Sequence, residues 1–334
     1  MSLVTLNNAS LEVTVNPQVG GTVMSIRHVA TGLSVLGSVA WETVGAPIDS
    51  VAARDEPEWL TRFTGGWPLL FPNAGDACQV DGVFHGFHGE ASIAPWRAEM
   101  EGGALILSRR FSTLPAVMRR TMSLSGETLT IREELHYSGT QSIDVMWGHH
   151  PTFGSDLLAG PFEVSCGARE VRAEAQYDPP TNPLRPGVSG RWPSPQGKHG
   201  IVDLAHPMAP WASVAYLGDF ASPWAAIRRM DDAIAVCLAW DGALFPTAWL
   251  WYELEATAEA PWGGNTRLIG IEPNTTACAL GLSTAKARGA PLLGLTPGAV
   301  IRAMIALHVF KPCGPVLTRP RGMPEDLTGR ALSS

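Results

Sequence analysis

Apolar and polar residues alternate with a period of two along much of this chain. Over residues 129–137, Leu129, Ile131, Leu135 and Tyr137 fall on one side and Thr130, Arg132, Glu134 and His136 on the other, the pattern of an antiparallel strand with one buried face. Similar runs at 105–111 and 118–124, with a turn at Ser125-Gly126-Glu127, predict a meander. An opening hairpin is predicted over 11–15 and 23–29, joined through Asn16-Pro17 and Gly20-Gly21, and later strands over 212–217, 233–240, 248–254, 266–271 and 300–310. No stretch sustains a 3.6-residue period with caps at both ends. The fold class is therefore all-β, a large antiparallel β-sandwich forming a single domain over 1–310. Residues 311–334 read as an irregular C-terminal tail that adds little core.

Two segments break the pattern. Residues 45–82 are rich in Gly, Pro, Asp and Trp and predict a long excursion over the surface or across a cleft, and residues 175–199 hold six prolines and predict an irregular loop or flap. Composition narrows the class further. Apolar residues make up 45%, charged residues 16%, and the net charge is -7, which suggests neither disorder nor a nucleic-acid surface and points to a small partner that is not strongly anionic. Five cysteines stand without paired spacing, and no leader or apolar span of membrane length is visible, so a reducing cytoplasm and no membrane are the expectation.

The chemistry-bearing residues gather in three places. In Leu268-Ile269-Gly270-Ile271-Glu272-Pro273 one carboxylate interrupts an apolar run, and the proline predicts that the strand stops there and presents Glu272. His85-Gly86-Phe87-His88-Gly89-Glu90 and Gly148-His149-His150-Pro151-Thr152-Phe153 hold four of the nine histidines, hemmed by glycine or proline. There is no G-x-S-x-G and no cysteine in a reactive motif, which leaves hydrolysis by a nucleophile without support. Two chemistries remain open: acid–base catalysis by a histidine and a carboxylate, and a metal site drawing on His85, His88 and His149 or His150.

The hairpin with Gly20-Gly21, the run Gly65-Gly66-Trp67-Pro68-Leu69-Leu70-Phe71-Pro72-Asn73, His85-Gly86-Phe87 followed by Trp96, His150-Pro151-Thr152-Phe153 and Ile271-Glu272-Pro273 occur in an order that resembles the aldose 1-epimerase (galactose mutarotase-like) superfamily, over roughly residues 3–310. The resemblance implies a sandwich whose concave face binds a sugar and interconverts its anomers by opening and reclosing the ring. It implies His150 as the acid toward the ring oxygen, Glu272 as the base toward the C1 hydroxyl, His85 as a substrate contact, and no cofactor.

The departures are informative. The Asn-Arg pair of typical galactose mutarotases is absent, with Asn73 left to supply an amide. Thr64 and Gly89 stand where hexose-6-phosphate members carry arginines, which points to a non-phosphorylated sugar. Further candidates for substrate contact are Trp67 and Trp262, as stacking platforms, together with His88, His149 and Glu253. The expected partner is a small-molecule sugar, and the chain is expected to be a monomer or homodimer. Two rival functions carry different chemistry: a non-catalytic sugar-binding or sensor protein, and a metal-dependent sugar isomerase or lyase.

Overall fold

The computed structural model describes residues 3–43, 52–320, 323, 324 and 327. Strands account for 47% of the protein and helices are few, in large antiparallel sheets, as the alternating pattern predicts. Val4–Asn7, Leu11–Asn16 and Thr22–His28 form a three-stranded antiparallel sheet. A 14-stranded sheet contains the meander Arg97–Glu101, Ala104–Arg110, Ala116–Ser125 and Thr128–Tyr137 at one end. It continues through Val300–Phe310, Ala235–Trp240, Trp211–Arg229, Thr247–Leu254 and Arg267–Asn274. Leu11, Val13 and Ile26 of the small sheet share one apolar core with Leu107, Met118 and Ile131 of the large one, which joins the two layers.

Several strands depart from the expected bounds. Trp211–Arg229 is a single strand of 19 residues, although Gly218-Asp219 and Ser222-Pro223 read as turns. Its first half pairs with Thr247–Leu254 and its second with Ala235–Trp240, while Phe162–Ala173 runs along its other edge through an irregularity between Cys166 and Ala168. The bulge absorbs the turn-like residues without ending the strand.

The tail adds more core than its composition suggests. Val316, Met323 and Leu327 are buried against Trp224, Ala226, Cys237 and Ala239, the face of the central strands opposite the main core. Those strands are apolar on both faces, so the second face needs a cover.

Residues 45–51 of the predicted excursion lie outside the described residues. Beyond them, Glu56–Leu60 is a one-turn helix whose start is capped by Asp55 Oδ1 accepting from the Glu58 amide at 2.9 Å. It carries Trp59 and Leu60 into an aromatic cluster with Phe63 and Phe87. Among the described residues no helix is long and apolar enough to cross a membrane.

Candidate active site

The site begins with strand register. Gly148 pairs with Asn274 and Thr152 with Gly270, so His150 falls opposite Glu272. Between those two bridges the ladder is open, and Pro151 and Pro273 occupy the opening. Arg267–Asn274 therefore runs on past Glu272 and does not stop there as the proline predicted, because Pro273 sits beside a gap in the pairing on that side. His150 Nε2 and Glu272 Oε1 are 3.7 Å apart, and both residues are buried. Room for the carboxyl group comes from Gly270, where a Cβ would lie 2.2 Å from Glu272 Oε1.

Burial without compensation governs the protonation of this pair. Glu272 is 2% exposed, accepts no hydrogen bond from the described residues, and has its carboxyl pushed well above the usual range by desolvation. His150 is caged by the rings of Trp59, Phe63, His88 and Trp251, and desolvation lowers its imidazole to about 4. Both effects favour the uncharged forms, which places the one proton shared by the pair on Glu272. Thr152 Oγ1 lies 3.0 Å from His150 Nδ1 and 3.4 Å from the His150 carbonyl. Nδ1–H can then donate to Thr152 while its hydroxyl donates to the carbonyl, leaving Nε2 a bare acceptor facing Glu272.

A cavity of about 360 Å³ opens over this pair, at the small end of the range for small-molecule sites. Its floor includes the outward face of Thr247–Leu254, where Trp249, Trp251 and Glu253 alternate toward it. Trp59, Phe63 and Phe87 supply an aromatic wall. Tyr177 and Pro179, at the start of the proline-rich segment, also line the cavity.

Of the residues expected from sequence, His150, Glu272, His88, Glu253 and Trp262 line this cavity. The Gly75 amide donates to His88 Nδ1 at 2.9 Å, so the proton of that ring sits on Nε2, which has no protein partner among the described residues. Desolvation, and then His150, hold His88 well below its ordinary value, so it is a neutral donor. Glu253 spends its oxygens on its own turn, accepting from the amides of Ala256 and Thr257 at 3.0 Å and from the Thr257 hydroxyl at 2.6 Å.

The other four expected contacts do not line the cavity. Asn73 is wholly buried and staples loops, donating to the carbonyls of Asp76 and Gly86 and accepting from the Leu282 amide. Trp67 donates to His149 Nδ1 at 3.2 Å, and His149 Nε2 faces Glu133 at 3.1 Å. Both ring nitrogens of His149 are thus engaged in the core, since adjacent strand residues face opposite ways. His85 is buried with Nδ1 unpartnered and outside the lining. The four histidines do not converge, and among the described residues no group of three or more His, Cys, Asp or Glu side chains is placed to hold a metal ion.

Sequence reasoning also missed a support beneath the site. Glu133 occupies an inward position in its strand and pairs across the sheet with inward Arg120 at 2.7 Å. It also accepts from Trp147 Nε1 and His149 Nε2, and against desolvation the His149 and Arg120 partners lower its carboxyl to about 2. This holds residues 147–149 to the sheet and turns His150 the other way. The visible signal was a pair of opposite charges at inward positions of neighbouring strands.

No family profile matches the chain, and no curated protein matches it in sequence. Solved structures do match. The Slr1438 protein from Synechocystis is similar at a TM-score of 0.66 and 17% identity, covering 93% of this chain and 96% of its own. A galactose mutarotase-like protein from Lactobacillus casei is similar at 0.63 and 15% identity, covering 92% and 100%. A galactose mutarotase related enzyme from Lactobacillus acidophilus is similar at 0.60 and 15% identity, covering 92% and 97%. Identities this low speak for architecture alone, and in architecture the agreement spans nearly the whole of each chain: this protein has the galactose mutarotase-like β-sandwich fold.

Proposed function

We propose that this chain is an aldose 1-epimerase-like isomerase that interconverts the anomers of a non-phosphorylated sugar. The observation that carries the reading is a buried His150–Glu272 pair, 3.7 Å apart, in a cavity walled by aromatic rings. Ring opening needs one proton delivered to the ring oxygen as the C1–O bond breaks, and one removed from the C1 hydroxyl as it becomes the aldehyde. The pair supplies both ends and its proton count is unchanged. Rotation about C1–C2 and the reverse transfers close the ring on the other face.

The roles expected from sequence, His150 as acid and Glu272 as base, belong to the ion-pair tautomer. The uncharged tautomer, favoured by desolvation, gives the first donation to Glu272 and the first abstraction to His150 Nε2. Both tautomers carry the same number of protons. Activity should therefore span the interval from about 4, where His150 gains a second proton for the pair, up to the raised value of Glu272.

The test is anomer exchange by NMR saturation transfer on unmodified, deoxy and acidic sugars, with wild type, Glu272→Gln and His150→Ala. Exchange faster than buffer that each substitution abolishes, and that a chelator leaves intact, is the expected result. Sugars that bind without exchanging would replace the reading with a non-catalytic sugar-binding protein.

A further inference from the structure

The charge lining the cavity is one-sided. Five acidic residues line it, Glu56, Asp76, Glu174, Glu253 and Glu272, of which Glu272 is held protonated by desolvation, and no lysine or arginine lines it among the described residues. Glu174 is compensated in part, its two oxygens accepting from the Tyr216 hydroxyl, from the Gln176 amide at 3.0 Å and from Arg288 at 3.2 Å. Among the described residues Glu253 is bonded only to its own turn. Glu56 and Asp76 take no hydrogen bond or ion pair through their carboxylates from the described residues.

Their neighbours make matters worse for negative charge. Desolvation and then Asp76 raise Glu56, and desolvation and then Glu174 raise Asp76, so these carboxyl groups act on one another. A second feature marks the same cavity as built for a ligand: Glu272 is 2% exposed, lines the cavity, and has no hydrogen-bond partner among the described residues. A buried polar group left in this way calls for a partner, which a ligand in the cavity can supply. Trp251 and Trp262, edge to face at 5.8 Å, add ring surfaces that attract a cation as well as a sugar face.

We propose that the ligand of this site is a reducing sugar bearing a free, protonated amino group, with its ammonium among Glu56, Asp76 and Glu174 and its anomeric carbon at His150 and Glu272. The proposal deepens the isomerase reading and rests on it for the placement of the anomeric carbon. The amine takes no part in the proton transfers; it decides which sugar enters. An anionic sugar meets repulsion from the same carboxylates, and an N-acetylated one loses the charge and adds an acetyl group that the subsite must accommodate.

The experiment compares 2-amino, 3-amino and 6-amino hexoses with their N-acetyl derivatives, the parent hexoses and a hexuronate. Anomer exchange is measured by saturation transfer and binding by quenching of tryptophan fluorescence. At least one amino hexose should exceed both its N-acetyl derivative and its parent in kcat/KM by about tenfold or more, with the hexuronate weakest. That ratio should shrink in roughly 0.5 M sodium chloride, which screens the carboxylates and leaves neutral sugars alone. It should also fall about tenfold in Glu56→Gln/Asp76→Asn. If that variant does not fold, the salt comparison on the wild type decides. A parent hexose or uronate equal to every amino hexose, or a preference untouched by salt, would overturn the proposal. Should no sugar exchange while an amino hexose still binds more tightly than its N-acetyl form, the isomerase reading fails and the charge preference stands.

Discussion

Replacing Glu272 by glutamine should abolish anomer exchange and, as the pH rises, make the protein progressively more stable than the wild type. The wild-type residue is 2% exposed, takes no hydrogen bond from the described residues, and has a folded-state value well above 4.5. The folded state therefore binds more protons than the unfolded chain in the window that opens at 4.5 and closes at the raised value. There the stability of the wild type falls with rising pH at up to 2.303RT, about 1.4 kcal/mol per pH unit. Glutamine has no such term. Its amide, buried beside His150, costs about 1–3 kcal/mol if unsatisfied, but that cost does not vary with pH. His150, lowered to about 4 from 6.5, makes the folded state less stable as pH falls through that window, and it does so in both proteins. Urea unfolding of the two proteins at intervals from about pH 5 to about pH 8 isolates the carboxyl by difference. The advantage of the variant should grow by at least about 1.4 kcal/mol over that range, one pH unit's worth of linkage. A difference that stays flat would mean that Glu272 is ionised throughout, and the desolvation argument for its protonation would be refuted.

Other perturbations test other parts of the site. Gly270→Ala places a Cβ 2.2 Å from Glu272 Oε1, so it should cut kcat by about 100-fold while the protein still folds, read by saturation transfer alongside circular dichroism. Glu133→Ala strands wholly buried Arg120 and releases His149 Nε2; urea unfolding should show a loss of about 3–5 kcal/mol. Trp251→Ala opens the cage around His150, whose ring it meets at 5.6 Å. The imidazole should then titrate above about 4, moving toward 6.5, with the acid limb of the activity profile following it; NMR of the ring Cε1–H measures the shift, and an unmoved value would show that Trp251 does not desolvate His150.

The sequence by itself determined the layer architecture and singled out the two residues that the fold brings together in the candidate site. Period-two alternation is a local property: each strand of the meander must turn one face from water, so 129–137 could be read without its neighbours and was found as Thr128–Tyr137. His150 and Glu272 stood out because polar groups interrupted apolar runs beside proline, and register brought them face to face. The sequence could not say which way a neighbour points or what an amide is used for. His149 differs from His150 by one position and lies on the opposite face, bound to Trp67 and Glu133. Asn73 carries the same amide whether it contacts a substrate or, as here, ties three backbone groups together. Trp59, Glu56 and Asp76 come to the cavity from an excursion with no periodicity to read, and Glu174 from far along the chain. Their convergence rests on contacts between residues distant in sequence, so only the closed sandwich, packing the aromatic wall against the open ladder between Gly148 and Thr152, decided the cavity's shape and its acidic lining.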